Sequence, residues 1–203
     1  RIIMFRLILF LFVAFYSVNS MAVELISGSL DSLKNEYKIA ISLDCSKCVF
    51  RTNDRNIPFE YFLAKAPRAE NWETKSMEYF VDNFNEKTFN EGLMGIIKET
   101  TLNIRYELII IPEQIFPNGN IKGIALIKNI VNDETIAELH FSAEGDDDDK
   151  VTLRDPMKEL GNDIGNLFRK VLKGKKVTAT DLRAGAAMII AGICAEGETE
   201  IYG

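Results

Sequence analysis

The sequence predicts an α+β domain built on an antiparallel sheet. Three observations lead there. Apolar residues alternate with period two in several runs between Tyr37 and Ala143; two short reversals, Phe116-Pro117-Asn118-Gly119-Asn120 and Asn132-Asp133-Glu134, join three of those runs; and two segments, about 71–89 and 155–173, repeat apolar residues at helical spacing. Together they predict a three-strand meander at about 104–143 with two helices covering one face of the sheet, because neither an apolar stripe nor a one-sided strand is stable unless it is buried against something.

Composition sets the outer bounds. The chain has 203 residues, 47% hydrophobic and 27% charged, with three cysteines, one histidine and one tryptophan. These proportions exclude a disordered chain, a collagen-like repeat and a disulfide-dense miniprotein. Residues 1–22 read as a secretory signal peptide: Arg1 and Arg6 lead, Leu7 to Tyr16 is unbroken apolar sequence, and Ser20-Met21-Ala22 offers small residues at the cleavage positions. The ten-residue apolar run falls short of the roughly 20 residues a bilayer-spanning helix needs. No cysteine lies near position 22, so lipid attachment there is not expected. Residues 23–203 then form a single α+β domain, with 177–203 as a C-terminal helical tail. Removing two arginines and no acid takes the net charge from −6 to −8, which gives little attraction for nucleic acid or an anionic membrane.

Along the domain, Tyr37, Ile39, Ile41, Leu43 and Cys45 alternate with Lys38, Ala40, Ser42 and Asp44, predicting a half-buried strand. The polar run Arg51 to Ile57 before Pro58 reads as a loop. Asn71 is placed to cap a helix carrying Met77, Phe80, Val81 and Phe84 on one face, with Trp72 packing at its start. The meander follows: Ile104, Tyr106, Leu108 and Ile110 on a strand ending at Pro112, then a strand from Ile121 to Val131, then one from Thr135 to Ala143. After the acidic run Asp146 to Asp149, Asp155 reads as a helix cap with Pro156 in the first turn. Leu153, Met157, Leu160, Ile164, Leu167, Phe168 and Val171 draw one stripe, Gly161 and Gly165 read as close-packing points, and Gly174 is the stop. The cations Arg169, Lys170, Lys173, Lys175 and Lys176 suit a helix C-terminus better than a nucleic-acid surface. In the tail, Thr180 or Asp181 caps a short helix whose apolar stretch, 184–195, suits burial or partner binding.

Few residues invite chemistry. Cys45-Ser46-Lys47-Cys48 has the spacing of a thiol-disulfide oxidoreductase, but Val49 to Asn56 lacks the helical stripe that would place a helix N-terminus behind the thiolate. Cys45 and Cys48 are therefore a candidate disulfide or redox pair, with packed thiols as the plainer reading. Zinc would have to draw on Cys45, Cys48, His140 and the remote Cys194, so no metal site is predicted, and no cofactor. His140 shares a polar strand face with Glu138 and Ser142; with no Gly-x-Ser-x-Gly elbow, a Ser-His-Asp hydrolase is not expected and no catalytic residue is assigned. The acidic run 146–149 lacks the alternating pattern of an EF-hand and reads as a solvated loop.

The order of Leu43-Asp44-Cys45-Ser46, a helix, the meander Tyr106 to Ala143 and the helix of Leu160-Gly161-Asn162-Asp163-Ile164-Gly165 resembles uncharacterised exported α/β proteins of gut bacteria. More distantly it is similar to the periplasmic accessory domain of curli-secretion lipoproteins, where helices cover one sheet face. The resemblance spans about residues 37–174 and implies a bacterial periplasmic or extracellular location, with no catalytic motif to transfer. The expectation is an exported, non-enzymatic binding or assembly module of the cell envelope. It would engage a protein partner through an open sheet edge or the tail helix, and it would carry no transmembrane segment in the mature chain. The alternatives are a thiol-disulfide oxidoreductase using Cys45 and Cys48, or a small-ligand-binding periplasmic domain.

Overall fold

The computed structural model describes residues 23–52, 55–63, 72–98, 104–145, 153–173, 177–178 and 201–202. The signal segment 1–22, the Asn71 cap, the acidic run 146–149, Gly174, the apolar tail stretch 184–195 and Cys194 lie outside the described residues. Ten strands and three α-helices follow in chain order: β1 (Val23–Gly28), β2 (Lys38–Leu43), β3 (Val49–Arg51), β4 (Asn56–Pro58), α1 (Phe59–Leu63), α2 (Trp72–Thr88), β5 (Met94–Ile97), β6 (Tyr106–Ile115), β7 (Ile121–Asn129), β8 (Glu134–Ala143), α3 (Arg154–Leu172), β9 (Val177–Thr178) and β10 (Ile201–Tyr202). A 3-10 turn, Asp31–Asn35, joins β1 to β2 and buries Leu33. The fold is α+β.

The sheet is mixed, which corrects the expected antiparallel sheet. Its main path runs β1-β8-β7-β6-β2-β5, with β3 on β6 and β4 on β3. Strands β6, β7, β8 and β1 pair antiparallel in sequence, whereas β2 pairs parallel with both β6 and β5, and β3 pairs parallel with β6. The reason lies in the connections. Strand β2 reaches its neighbour β5 through α2, and a crossover of that kind delivers parallel strands. In consequence Ile39, Ala40 and Ile41 are all buried, as central parallel strands require, and the polar residues that suggested a half-exposed strand lie only at its ends.

Three further departures are local. Strand β6 does not end at Pro112 but runs through it to Ile115, with a register shift between Pro112 and Gln114. The expected loop at 51–57 includes the ends of a small antiparallel hairpin, β3 with β4, which buries Phe50. Helix α3 begins one residue before Asp155, behind Leu153 in a left-handed conformation (φ 48°), and no side chain caps it. Asp155 instead pairs with Arg154 at 3.2 Å in the first turn. Leu153, at the capping position, is fully buried and has no side-chain oxygen to offer the helix.

One face of the sheet is covered by α2 and α3. Phe80 and Phe84 of α2 and Leu160, Ile164 and Phe168 of α3 are fully buried, with the Phe84 and Phe168 rings edge to face at 5.3 Å. The two helices can approach because Gly161 and Gly165 face α2: a Cβ at Gly161 would lie 2.5 Å from the Phe80 carbonyl oxygen, and one at Gly165 would lie 2.9 Å from Lys87 Cβ. Among the described residues no helix is long and apolar enough to cross a membrane.

Two outcomes test this packing. Gly161→Val forces the helices apart, and overpacking of this kind lowers stability by about 2 kcal/mol in urea unfolding. Asp163, on α3, has its carboxyl pushed above the usual aspartate range by burial. Its contribution to stability is full below the unfolded aspartate value and is lost as pH rises through the raised folded value. Asp163→Asn therefore stabilises the protein at pH 7, and the gain vanishes near pH 3, as paired urea titrations would show.

Candidate functional site

The cysteine pair sits where β2 hands over to β3. As β2 ends, the Asp44 N–H donates to the Ile110 carbonyl of β6 at 2.8 Å. The Asp44 carboxylate then accepts from the Ser46 N–H at 2.9 Å, and the Cys48 N–H donates to the Cys45 carbonyl at 3.0 Å. An Asx-type contact followed by an i to i+3 bond is a tight turn, not the first turn of a helix. The chain then re-enters the sheet as β3, and the Cys48 carbonyl accepts from the Phe59 N–H at 3.0 Å.

This turn forms one wall of a cleft of about 380 Å³, with Phe59, Glu60, Trp72 and Glu73 opposite. Phe59 and Trp72 meet edge to face at 5.1 Å, so Trp72 does pack at the entry of α2. Cys45 is half-buried on the cleft wall and Cys48 is buried behind it, both as free thiols. The Cys45 thiol is pushed well above its ordinary value, first by its hydrogen bond with Cys48, then by burial, then by the charge of Cys48, and least by the negative charge of Glu73 and Asp44. Asp44 is held below the usual carboxylate range by the Ser46 hydroxyl and N–H. These effects oppose thiolate formation, whereas a nucleophilic cysteine needs nearby cations or a helix N-terminus.

The remaining sequence candidates do not converge on the cleft. His140 lies exposed on β8, 3.2 Å from Glu138 and strands away from the cysteines. No group of three or more His, Cys, Asp or Glu suited to a metal ion occurs among the described residues.

The structure adds two features that periodicity did not reveal. Glu107 of β6 is buried on the face opposite the helices, where it accepts from Ser42 Oγ at 2.6 Å and pairs with Lys98 Nζ at 2.7 Å. The cluster ties β2, β5 and β6 together and leaves the carboxylate fully engaged, so it is a brace and not a reactive group. The second feature is an asymmetry between the two ends of the sheet's main strand path. At β5 the Asn85 side-chain amide donates to the Gly95 carbonyl at 3.0 Å and accepts from the Gly95 N–H at 2.7 Å, standing in for a neighbouring strand. At β1 no such clamp exists among the described residues, and Leu25 and Ile26 are 39% and 47% exposed. An asparagine ten residues before a glycine is too common a spacing to have signalled the clamp.

No family model matches the chain. Curated relatives match over short segments. UDP-N-acetylglucosamine 1-carboxyvinyltransferase 2 of Listeria monocytogenes is 75% identical over 32 residues, 16% of this chain and 8% of that enzyme. The enzyme of the same name, without the numeral, from Halothermothrix orenii is 51% identical over 53 residues, 23% of this chain and 13% of that enzyme. That of Clostridium botulinum is 72% identical over 94 residues, 43% of this chain and 20% of that enzyme. The chain thus spans a fifth or less of the length of these relatives. Among solved structures, a PelC dodecamer from Paraburkholderia phytofirmans aligns at TM-score 0.38 with 12% identity, covering 70% of this chain and 96% of that one. A variant of the same protein aligns at 0.39 with 9% identity. Likeness at that level carries no argument about this chain.

The electrostatics of the turn make one prediction. In a Cys194→Ser background, Cys45 reacts with iodoacetamide at pH 8 more slowly than free cysteine, and Glu73→Gln speeds the reaction by removing a repelling charge. Peptide mapping of timed alkylations would show the order, and faster reaction than free cysteine would contradict it.

Proposed function

We propose that the protein is an exported, non-enzymatic binding or assembly module of the bacterial cell envelope, and that it recruits a protein partner by strand addition at β1. The observation that carries this reading is the edge asymmetry. The Asn85 clamp occupies the outward backbone groups of Gly95, while β1 presents its outer backbone beside two exposed apolar side chains. Unpaired strand edges are templates for another strand, and main-chain hydrogen bonds provide the affinity. The register shift between Leu25 and Ser27 limits the regular pairing surface to the first half of β1. The partner's chemistry follows: an extended segment with an apolar residue to set beside Leu25.

The antiparallel run from β6 to β8, backed by α2 and α3, serves in this reading as a rigid platform for that edge. The acidic balance argues against nucleic acid as the partner. The turn at Cys45 argues against the oxidoreductase alternative, since the environment suppresses the thiolate that such chemistry uses.

Charging the edge tests the reading. The double variant Leu25→Lys, Ile26→Lys changes exposed side chains and leaves the fold intact by thermal melting. It is expected to weaken capture of the envelope partner at least tenfold, about 1.4 kcal/mol. Met94→Lys, at the clamped edge, leaves capture unchanged, and partner binding slows amide exchange within β1. Equal loss from both variants, or unaltered β1 exchange on binding, would overturn the proposal.

A further inference from the structure

We infer that Cys45 and Cys48 are a closing dithiol: by exchange with a small-molecule disulfide such as oxidised glutathione, they form a local disulfide that locks the turn between β2 and β3. The geometry is already set. The 3.0 Å bond from the Cys48 N–H to the Cys45 carbonyl makes residues 45–48 a tight turn, which brings the two Cα atoms within about 7 Å. A disulfide spans Cα atoms up to about 6.8 Å apart. Both ends of the turn are anchored to one strand, since Leu43 pairs with Ile110 and Val49 with Gln114 of β6.

The steps follow from exposure. Cys45 is half-buried at the cleft and Cys48 is buried, so Cys45 is the point of entry. Its thiolate attacks one sulfur of the oxidant, forms a mixed disulfide and expels one glutathione thiolate. The Cys48 thiolate then attacks the Cys45 sulfur, forms the internal bond and expels the second glutathione. Two protons leave the protein, both cysteines are oxidised, and one glutathione disulfide is reduced to two thiols. Closure is slow, because the neighbouring Cys48 and burial hold Cys45 as the thiol.

The bridge would thus be a structural lock on the wall of the cleft rather than a turnover site. The inference rests on the exported reading only for its occurrence in the cell. Closure of the purified protein together with free thiols in envelope extracts would count against export and not against the chemistry.

The full chain with Cys194→Ser, treated with excess oxidised glutathione under native conditions, tests it. The expected product has lost two hydrogens, carries no glutathione, resists alkylation at both positions and yields a linked Cys45–Cys48 peptide. Trp72, the single tryptophan, lines the same cleft and reports closure by a fall in fluorescence. With Cys48→Ser added, glutathione stays on Cys45. Stable glutathione on Cys45 while Cys48 is present, two thiols that remain free, or, in the unaltered chain, a bridge from Cys45 to Cys194 would overturn the inference. Should Cys194→Ser fail to fold, peptide mapping of the unaltered chain gives the same decision.

Discussion

The structure turns on how β6 serves two neighbours along one edge. From Glu107 to Ile110 it pairs with β2, and from Gln114 to Ile115 it pairs with β3. Pro112 falls between the two stretches. A proline has no N–H to offer a ladder, so it is tolerated in a central strand only where pairing is interrupted. The interruption is also where the chain leaves the sheet as Asp44 to Cys48 and returns as β3. The proline, the register shift beside it and the cysteine turn are thus one feature seen from two strands.

That dependence explains what was legible in the sequence and what was not. Strands β7 and β8 were readable because each packs one face on the helices, and Ala125, Ile127, Leu139 and Phe141 mark that face at period two. The α3 stripe was readable for the same reason at helical period, and Gly161 and Gly165 signalled a close approach that the Phe80 and Phe84 backbone confirms. Strand β2 is legible but its polarity is not: lysine and serine at its ends imitate alternation while consecutive residues at its centre are buried. Pro112 reads as a terminator because a sequence cannot show that the neighbouring strand has already departed. The short β3–β4 hairpin was hidden by the polar residues of its tip, and β5 by its length of four residues.

The cysteine pair shows the same division between spacing and environment. Two residues between cysteines fix that the thiols can meet, and the sequence also showed that no amphipathic helix follows. What it could not show is the charge around them. Glu73 is 28 positions from Cys45 in the chain and reaches the cleft only because α2 starts beside Phe59 and Trp72. Its carboxylate and that of Asp44 add to the effects of Cys48 and of burial, which hold the Cys45 thiol protonated. Motifs of two residues name a geometry, and their neighbours in space name the chemistry.

The edges at β5 and β1 illustrate how a local polar contact can direct where a protein is able to bind. An exposed strand end carries unpaired donors and acceptors, and leaving both without partners invites another chain. At Gly95 the absence of a side chain matters: a Cβ there would lie 2.4 Å from Ile41 Cδ1 and 2.9 Å from Phe84 Cδ1, so glycine lets β5 sit close over the α2 core without displacing these side chains. That close fit is what brings the Gly95 backbone within reach of Asn85 on the same helix. Core packing and edge protection at β5 are therefore a single arrangement. Strand β1 has no equivalent: it leads into the 3-10 turn and pairs with β8, and no side-chain amide clamps its outer side among the described residues. Of these two edges, the open one is the one that core packing did not close.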